Sequence, residues 1–441
     1  MNKESTVSKS ERETTDSDYP LTHVPKDARR TFFSVMAVLL GITFFSPTMA
    51  VGAQIGTAFT FGNVLLITLL GDLILGIYVA VNCGIGAKTG LTSVMLCRYT
   101  FGRAGAKWAD LLLGGTQIGW YAYVSAYVGM LFATAFNLPG SATWFTLAWA
   151  LIFGVTALYG YKAMEKIAYV AVPALLILVI LIPVLGIRAA GGLSALVSAV
   201  PTTSMSVATA MTAIVGTFSS MGTQACNWSR FSKSTKSGFW SGFVAFMIGN
   251  TVMLGAGIVG ALAFGESDFI VILMNLGLSA VALVVLTLNI WTTAHAGAYA
   301  WAVAGAEAAN KENKTPFLLI GLAIAVVLAC TGIYNQLIPF LNILGVFIPP
   351  IGGAIIGDYF FTFKRRLPKV ECVTFKMLRI SPVIAYAAGT IAAWVTNVFN
   401  VGVPPLLGIA VSIVCVPIAN AILKAVGVGD MHGISDDAEY V

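Results

Sequence analysis

The stretch LNIWTTAHAG, Leu288 to Gly297, sets Asn289, Thr292, Thr293 and His295 inside a run that is otherwise Leu, Val, Ala, Ile and Gly. Asn289, Thr292 and Thr293 follow i, i+3, i+4 spacing, so on a helix they share one face. Their neutral oxygens, completed by carbonyls freed at a helix break, suit a hard monovalent cation such as sodium. A break near Phe45 and Ser46 would offer the carbonyls of Gly41 and Phe44. The competing reading is that each threonine bonds back to its own helix, as is common in membrane helices. The residues alone leave both standing.

A second constellation is LLLGGTQIGWYAYVSAY, in which Gln117 and Trp120 are three apart and on one helical face. An amide with donors and an acceptor beside a large flat ring suits a small planar heterocycle: the ring stacks and the amide reads its edge. The alternative is an interhelical hydrogen bond plus an interfacial aromatic. In GTFSSMGTQACNW, Phe218 is placed to cover the opposite face of such a substrate, with Ser219 and Ser220 as further polar contacts. Ionisable residues within apolar segments, Asp72 and His295, with Glu307 and Asp358 nearer helix ends, are costly in lipid and face a cavity or a partner. His295 is compatible with substrate binding, proton relay or a satisfied core position; Asp72 reads as structural.

The elements that must position these groups are membrane helices. Of 441 residues, 58% are hydrophobic and 10% charged, far from soluble composition. Six scattered cysteines without a CxxC pair imply neither a disulfide framework nor a metal site. The net charge of +6 does not point to nucleic acid, because the basic residues sit in short connections between apolar spans. A bilayer core needs about twenty apolar residues per helix. About twelve spans follow, near 31–59, 62–83, 108–135, 141–160, 166–188, 206–228, 238–264, 270–300, 317–334, 336–361, 380–398 and 403–425. The segment 84–103 reads as a cytoplasmic linker with partial helix. With both termini inside, 24 of the 25 basic residues fall in cytoplasmic segments and Arg188 alone lies outside, as the positive-inside rule requires.

The first span contains GITFFSPTMAVG, where Pro47 removes a backbone donor and forces a kink or unwinding near Phe45–Ser46. Gly216, Ser219, Ser220 and Gly222 weaken the sixth in the same way. Two interrupted spans five apart point to a transporter site between inverted repeats. The expected organisation is all-α: a cytoplasmic N-terminal tail at 1–30, a five-helix repeat at 31–190 and its inverted partner at 206–361. A basic cytoplasmic loop at 362–379, two accessory helices at 380–425 and a cytoplasmic C-terminal tail at 426–441 follow.

The segments GITFFSPTMAVG, IGAKTGLTS, LLLGGTQIGWYAY, LNIWTT and IPPIGGAIIGDYF closely resemble the nucleobase-cation-symport family, which includes bacterial cytosine permeases and the hydantoin transporter. The resemblance runs from about residue 24 to 425. It implies the leucine-transporter type of inverted-repeat fold and cation-coupled uptake by alternating access. It makes Trp120 and Phe218 the stacking faces and gives Gln117 and Asn289 hydrogen bonds to substrate, with Ser220 a further candidate. Gly41, Phe44 and Asn289 carbonyls with the Thr292 and Thr293 hydroxyls would form the sodium site. The chain departs from the family pattern at Ala294, His295 and Ala296, where that pattern has Asn-Asp-Asn, at Gln224 for an apolar residue, and at Asp72 for an asparagine. Transport of a planar nitrogen heterocycle (a nucleobase, purine or hydantoin) survives these changes; cytosine itself does not follow.

The leading expectation is therefore a multi-pass inner-membrane permease, not an enzyme, importing such a heterocycle by sodium symport. It would have no covalent cofactor and no obligate protein partner. The alternatives are proton coupling through His295 or Asp72, and a receptor or membrane enzyme without transport; the last lacks any clustered ligand set or paired nucleophile and base.

Overall fold

A computed structural model describes residues 22–158, 161–309, 311, 313 and 315–441, with backbone alone at 158, 161–172, 296, 303 and 307. The tail residues 1–21, Lys314 and the side chains of Lys162, Lys166, Ala296 and Glu307 thus lie outside the described residues. The first half comprises α1 (Phe32–Thr43), α2 (Pro47–Gly56), α3 (Phe61–Thr89), α4 (Ser93–Ala135), α5 (Ala142–Leu158), α6 (Tyr161–Ala189) and the short α7 (Leu193–Val197). The second comprises α8 (Val207–Thr223), α9 (Cys226–Ser229), α10 (Thr235–Phe243), α11 (Asn250–Phe264), α12 (Phe269–Asn275), α13 (Ser279–Ala308), α14 (Thr315–Cys330), α15 (Leu337–Phe347) and α16 (Pro349–Gly357). Two final helices, α17 (Ile380–Val398) and α18 (Pro404–Ala425), pack as a pair. Among the described residues, six helical stretches are long and apolar enough to cross a bilayer, and α1 with α2 makes a seventh.

The first span is broken where Pro47 predicts it. Helix α1 ends at Thr43, α2 restarts at Pro47, and their axes differ by 61°. Proline sits at the first helical position of α2, where its missing N–H costs nothing and its fixed φ starts a helix. In α8 the interruption is smaller: Phe218 alone leaves helical geometry, with φ −127° and ψ 16°. The serines and glycines weaken α8 enough for a kink and not for an unwound segment.

Several boundaries differ from the sequence expectation. The supposed linker 84–103 is mostly helix: α3 continues to Thr89 and α4 begins at Ser93, with Gly102 at φ 80° as the bend. Gly102 folds there because Arg103 N and Ala104 N donate to the carbonyls of Lys376 and Met377, replacing helical partners. The eighth span is not 270–300. Gly277, at φ 70°, separates α12 from α13, which carries the polar stretch and runs on to Ala308. Periodicity could not mark this break because both flanks are apolar.

Neither expected tail is wholly free. Val24 N donates to Gly90 O (3.0 Å) and Arg29 Nη1 to Ala87 O (2.6 Å), tying residues before α1 to the end of α3. At the other end Gly433–Ile434 pairs antiparallel with Val373–Thr374. The fully buried Arg379 binds both Asp358 oxygens (2.6 and 2.9 Å) and the Tyr99 and Asp430 carbonyls. Burial pushes the His432 imidazole down to about 4. It is therefore neutral near pH 7, with Nδ1 accepting from Lys376 N and Nε2 donating to Tyr99 O.

Glycines make the contact that seats α2. A Cβ on Gly257 of α11 would lie 1.9 Å from Met49 O, and one on Gly52 would lie 2.1 Å from Leu254 O. The two backbones therefore touch directly. Gly257→Val should destabilise the protein by about 2–3 kcal/mol, as overpacking of a closed contact does. Thermal unfolding of the purified variant in detergent checks this, and an unchanged midpoint would refute the close contact.

Candidate functional site

The break between α1 and α2 leaves backbone groups without helical partners at membrane depth, where they must be satisfied by protein or cavity. One side chain satisfies two of them. Asn289 of α13 accepts from Ser46 N through Oδ1 (3.1 Å) and donates from Nδ2 to Phe44 O (3.1 Å). Its own carbonyl accepts from Thr292 Oγ1 (2.8 Å) and Thr293 Oγ1 (3.2 Å). The threonines thus make the local bonds of the conservative reading, but to the carbonyl that the cation reading also requires. Asn289 thus joins Phe44 O, through its side chain, and the two hydroxyls, through its carbonyl, in one hydrogen-bonded cluster.

Beside this cluster is a cavity of about 320 Å³, walled by Gly41 and Phe45 from the first span, Gln117 and Trp120 from α4, Phe218 from α8 and Asn289 from α13. Thr292 and Thr293 also reach it. The aromatic wall is a linked set. Phe45 meets Trp120 edge-on at 5.3 Å and Phe218 at 6.3 Å, and Phe340 meets Trp120 at 5.4 Å on another side. Such edge-to-face pairs fix ring orientation and leave flat faces available. A predominantly apolar pocket with few convergent polar groups is the general form of a small-molecule site.

Most of the expected residues converge here, and three do not. Ser220 lies behind the wall, with Oγ 2.7 Å from Thr116 Oγ1 and accepting from Gln117 Nε2 (3.3 Å). Phe44 contributes its carbonyl to Asn289 and does not line the cavity. His295 points to α5, where Nε2 lies 2.6 Å from Thr156 Oγ1 and accepts from Trp291 Nε1 (3.2 Å). At i+2 from Thr293 it is on another helical face, so it is a satisfied packing residue in this conformation.

Sequence reasoning missed several wall residues, among them Phe45, Thr217 and Gly297. Phe45 lies two residues before Pro47, but a phenylalanine in a membrane helix does not by its type mark a cavity wall. Thr217 precedes the kink and lines the cavity. Gly297 also lines it, and a Cβ there would lie 3.7 Å from Gln117 Oε1; a glycine among small residues gives no sequence signal of this. Asp72, read as structural, is fully buried between α3 and α11. Its oxygens accept from Asn250 Nδ2 (2.7 Å) and Thr251 Oγ1 (2.6 Å), and Asn250 Nδ2 also reaches Thr217 Oγ1 (3.2 Å).

The family described as permease for cytosine/purines, uracil, thiamine, allantoin matches residues 23–416. The cytosine permease of Escherichia coli (strain K12) is 34% identical over 411 residues, covering 92% of this chain and 96% of that protein. Among solved structures, the inward-facing conformation of Mhp1 covers 95% of each chain with a TM-score of 0.78 at 16% identity. The closed conformation of Mhp1, a nucleobase-cation-symport-1 family transporter with bromovinylhydantoin bound, gives 0.70 at 18% identity, covering 92% of this chain and 95% of that one. A sodium-coupled sialic acid symporter gives 0.53 at 12% identity, covering 90% and 96%. These likenesses show the fold.

Removing the Asn289 carboxamide strands Ser46 N and Phe44 O. Asn289→Ala should cost about 1–3 kcal/mol and speed amide hydrogen exchange at Phe45 and Ser46. Exchange at wild-type rates there would mean that another group holds the break.

Proposed function

Because the chain belongs to the permease family for cytosine/purines, uracil, thiamine and allantoin, a family of membrane transporters and not of enzymes, we propose that it imports a planar nitrogen heterocycle by sodium symport. The observation that carries this reading is the single residue Asn289, which joins the oxygen cluster to the wall of the aromatic cavity. Trp120 and Phe218 take the faces of the ring, and Gln117 reads its edge. Mhp1 with bromovinylhydantoin bound supports the substrate class by likeness of fold.

In this reading the Thr292 and Thr293 hydroxyls keep their protons but turn them away from Asn289 O, so that their lone pairs face sodium. The ion is held by that carbonyl, the Thr292 and Thr293 oxygens and the carbonyls of Gly41 and Phe44. It draws the first span against α13, and the Asn289 side chain transmits this to the cavity. Substrate binding by the same elements then raises sodium affinity by an equal factor, because coupling free energy is reciprocal. Alternating access follows from motion about the interrupted spans, in a multi-pass inner-membrane protein with both termini cytoplasmic. Two inverted five-helix repeats and twelve spans belong to the same proposal.

A second reading, proton coupling, is favoured by one observation: Asp72 is fully buried, and its hydrogen-bond partners among the described residues are neutral. The Asn250–Thr217 link connects it to the cavity wall. His295 has no such link.

In proteoliposomes, replacing sodium by choline at fixed pH should reduce substrate uptake at least about tenfold, a coupling near 1.4 kcal/mol. Unchanged uptake, with substrate-evoked alkalinisation outside the vesicles that Asp72→Asn abolishes, would establish the proton reading instead. Trp120→Ala should abolish heterocycle binding in a thermal-shift screen of pyrimidines, purines and hydantoins. Thr293→Ala should leave binding detectable while weakening its dependence on sodium, measured as the shift in half-saturating sodium concentration.

A further inference from the structure

Four polar side chains behind the cavity form a hydrogen-bond relay whose direction is fixed from end to end. Thr116 Oγ1 donates its one proton to Leu113 O at 2.7 Å. The 2.7 Å contact between Thr116 Oγ1 and Ser220 Oγ then requires the proton of Ser220, since two hydroxyl oxygens that close without a hydrogen between them repel. Ser220 has now spent its donor. Its remaining lone pairs accept from Gln117 Nε2 and Gln224 Nε2, each at 3.3 Å.

The consequence falls on Gln117. Turning its amide over would aim Oε1 at a serine oxygen with no proton to give, so the NH₂ group must face Ser220. The carbonyl Oε1 is left toward Gly297, which lines the cavity, and it has no hydrogen-bond partner among the described residues. We infer that Thr116, Ser220 and Gln224 are positioning residues that lock the Gln117 amide with its oxygen toward the cavity, so that the transported heterocycle is selected for an N–H donor at that edge. The inference rests on the transport reading above and adds the hydrogen-bond sense of the substrate.

Thr116 is the residue that sets the direction. Thr116→Val keeps the branched shape but removes the acceptor, which frees the Ser220 proton for Gln117 Oε1 and lets the amide invert. Gln224→Met removes the second donor to Ser220 while preserving length. Thr116→Ser retains the hydroxyl and is the conservative rescue.

The test is a competition-binding assay on the purified full chain with two base pairs as probes, cytosine against uracil and adenine against hypoxanthine. Within each pair, donor and acceptor exchange places on one ring edge while the shape is kept. Wild type should prefer the member presenting the donor to Gln117 by at least about tenfold, the discrimination expected when a site is built around one hydrogen bond. Thr116→Val should bring that ratio to near one or reverse it, Gln224→Met should reduce it, and Thr116→Ser should restore it. A packing role alone would lower affinity for both members and leave their ratio unchanged. A wild-type ratio retained in Thr116→Val overturns the relay and leaves the transport reading intact. Failure of all four bases to bind wild type overturns the recognition of nucleobases and the inference with it.

Discussion

Everything at the centre of this protein depends on a broken helix whose loose backbone is held by a side chain from a distant helix. In water the carbonyl of Phe44 and the amide of Ser46 would be solvated at little cost. At membrane depth each requires a partner, and the Asn289 carboxamide supplies an acceptor and a donor at once. An aliphatic residue can do neither, and a hydroxyl would have to do both through a single oxygen, whereas the carboxamide presents the two functions on separate atoms. The same constraint makes α13 polar where it passes the first span, and it brings the Asn289 carbonyl and the two threonine hydroxyls to the same place. The oxygens around Asn289 and the aromatic cavity wall are adjacent because one side chain has to serve the break.

The helices were legible in the sequence because apolar runs in lipid need length more than pattern, and basic residues mark their ends. Pro47 announced its break by a backbone rule that does not depend on tertiary contacts. The break in α8 was legible in position but not in extent. Gly216 packs against the backbone of α15, where a Cβ would lie 2.2 Å from Leu341 O, so this glycine serves close approach as well as weak helicity. Gln117, Trp120 and Asn289 were legible because polar or flat groups in mid-span are unusual. Ser220 and His295 carried the same signal and yet turn to other partners, since one-dimensional spacing does not say which of several neighbours a helix face meets. Phe45 and Gly297 gave no signal at all, being ordinary residues of membrane helices.

Buried charge is handled differently at the two ends of the molecule. Where the chain passes from α16 to α17, Asp358 and Arg379 neutralise each other in a two-point ion pair, and the surrounding carbonyls accept from the rest of the guanidinium. This arrangement ties the bend of α4 and the segment before α17 to the folded C-terminal residues, so a region expected as a loop and a tail is built like a core. Asp72 has no comparable cation and is held by neutral amide and hydroxyl donors. The same residue type is thus held by a cation at one point of the scaffold and by neutral donors at the other.

Gly297 has an implication for descent with modification. A methyl group there would meet the backbone and side-chain oxygens of Gln117 at 3.7 Å, an ordinary van der Waals distance, whereas Gly257 and Gly216 are closed to any side chain. Gly297 is therefore a position in the wall where the cavity can be altered in small steps while the close helix contacts at Gly257 and Gly216 are kept. Alanine or serine at this position would trim the space beside the Gln117 amide and leave the scaffold as it is.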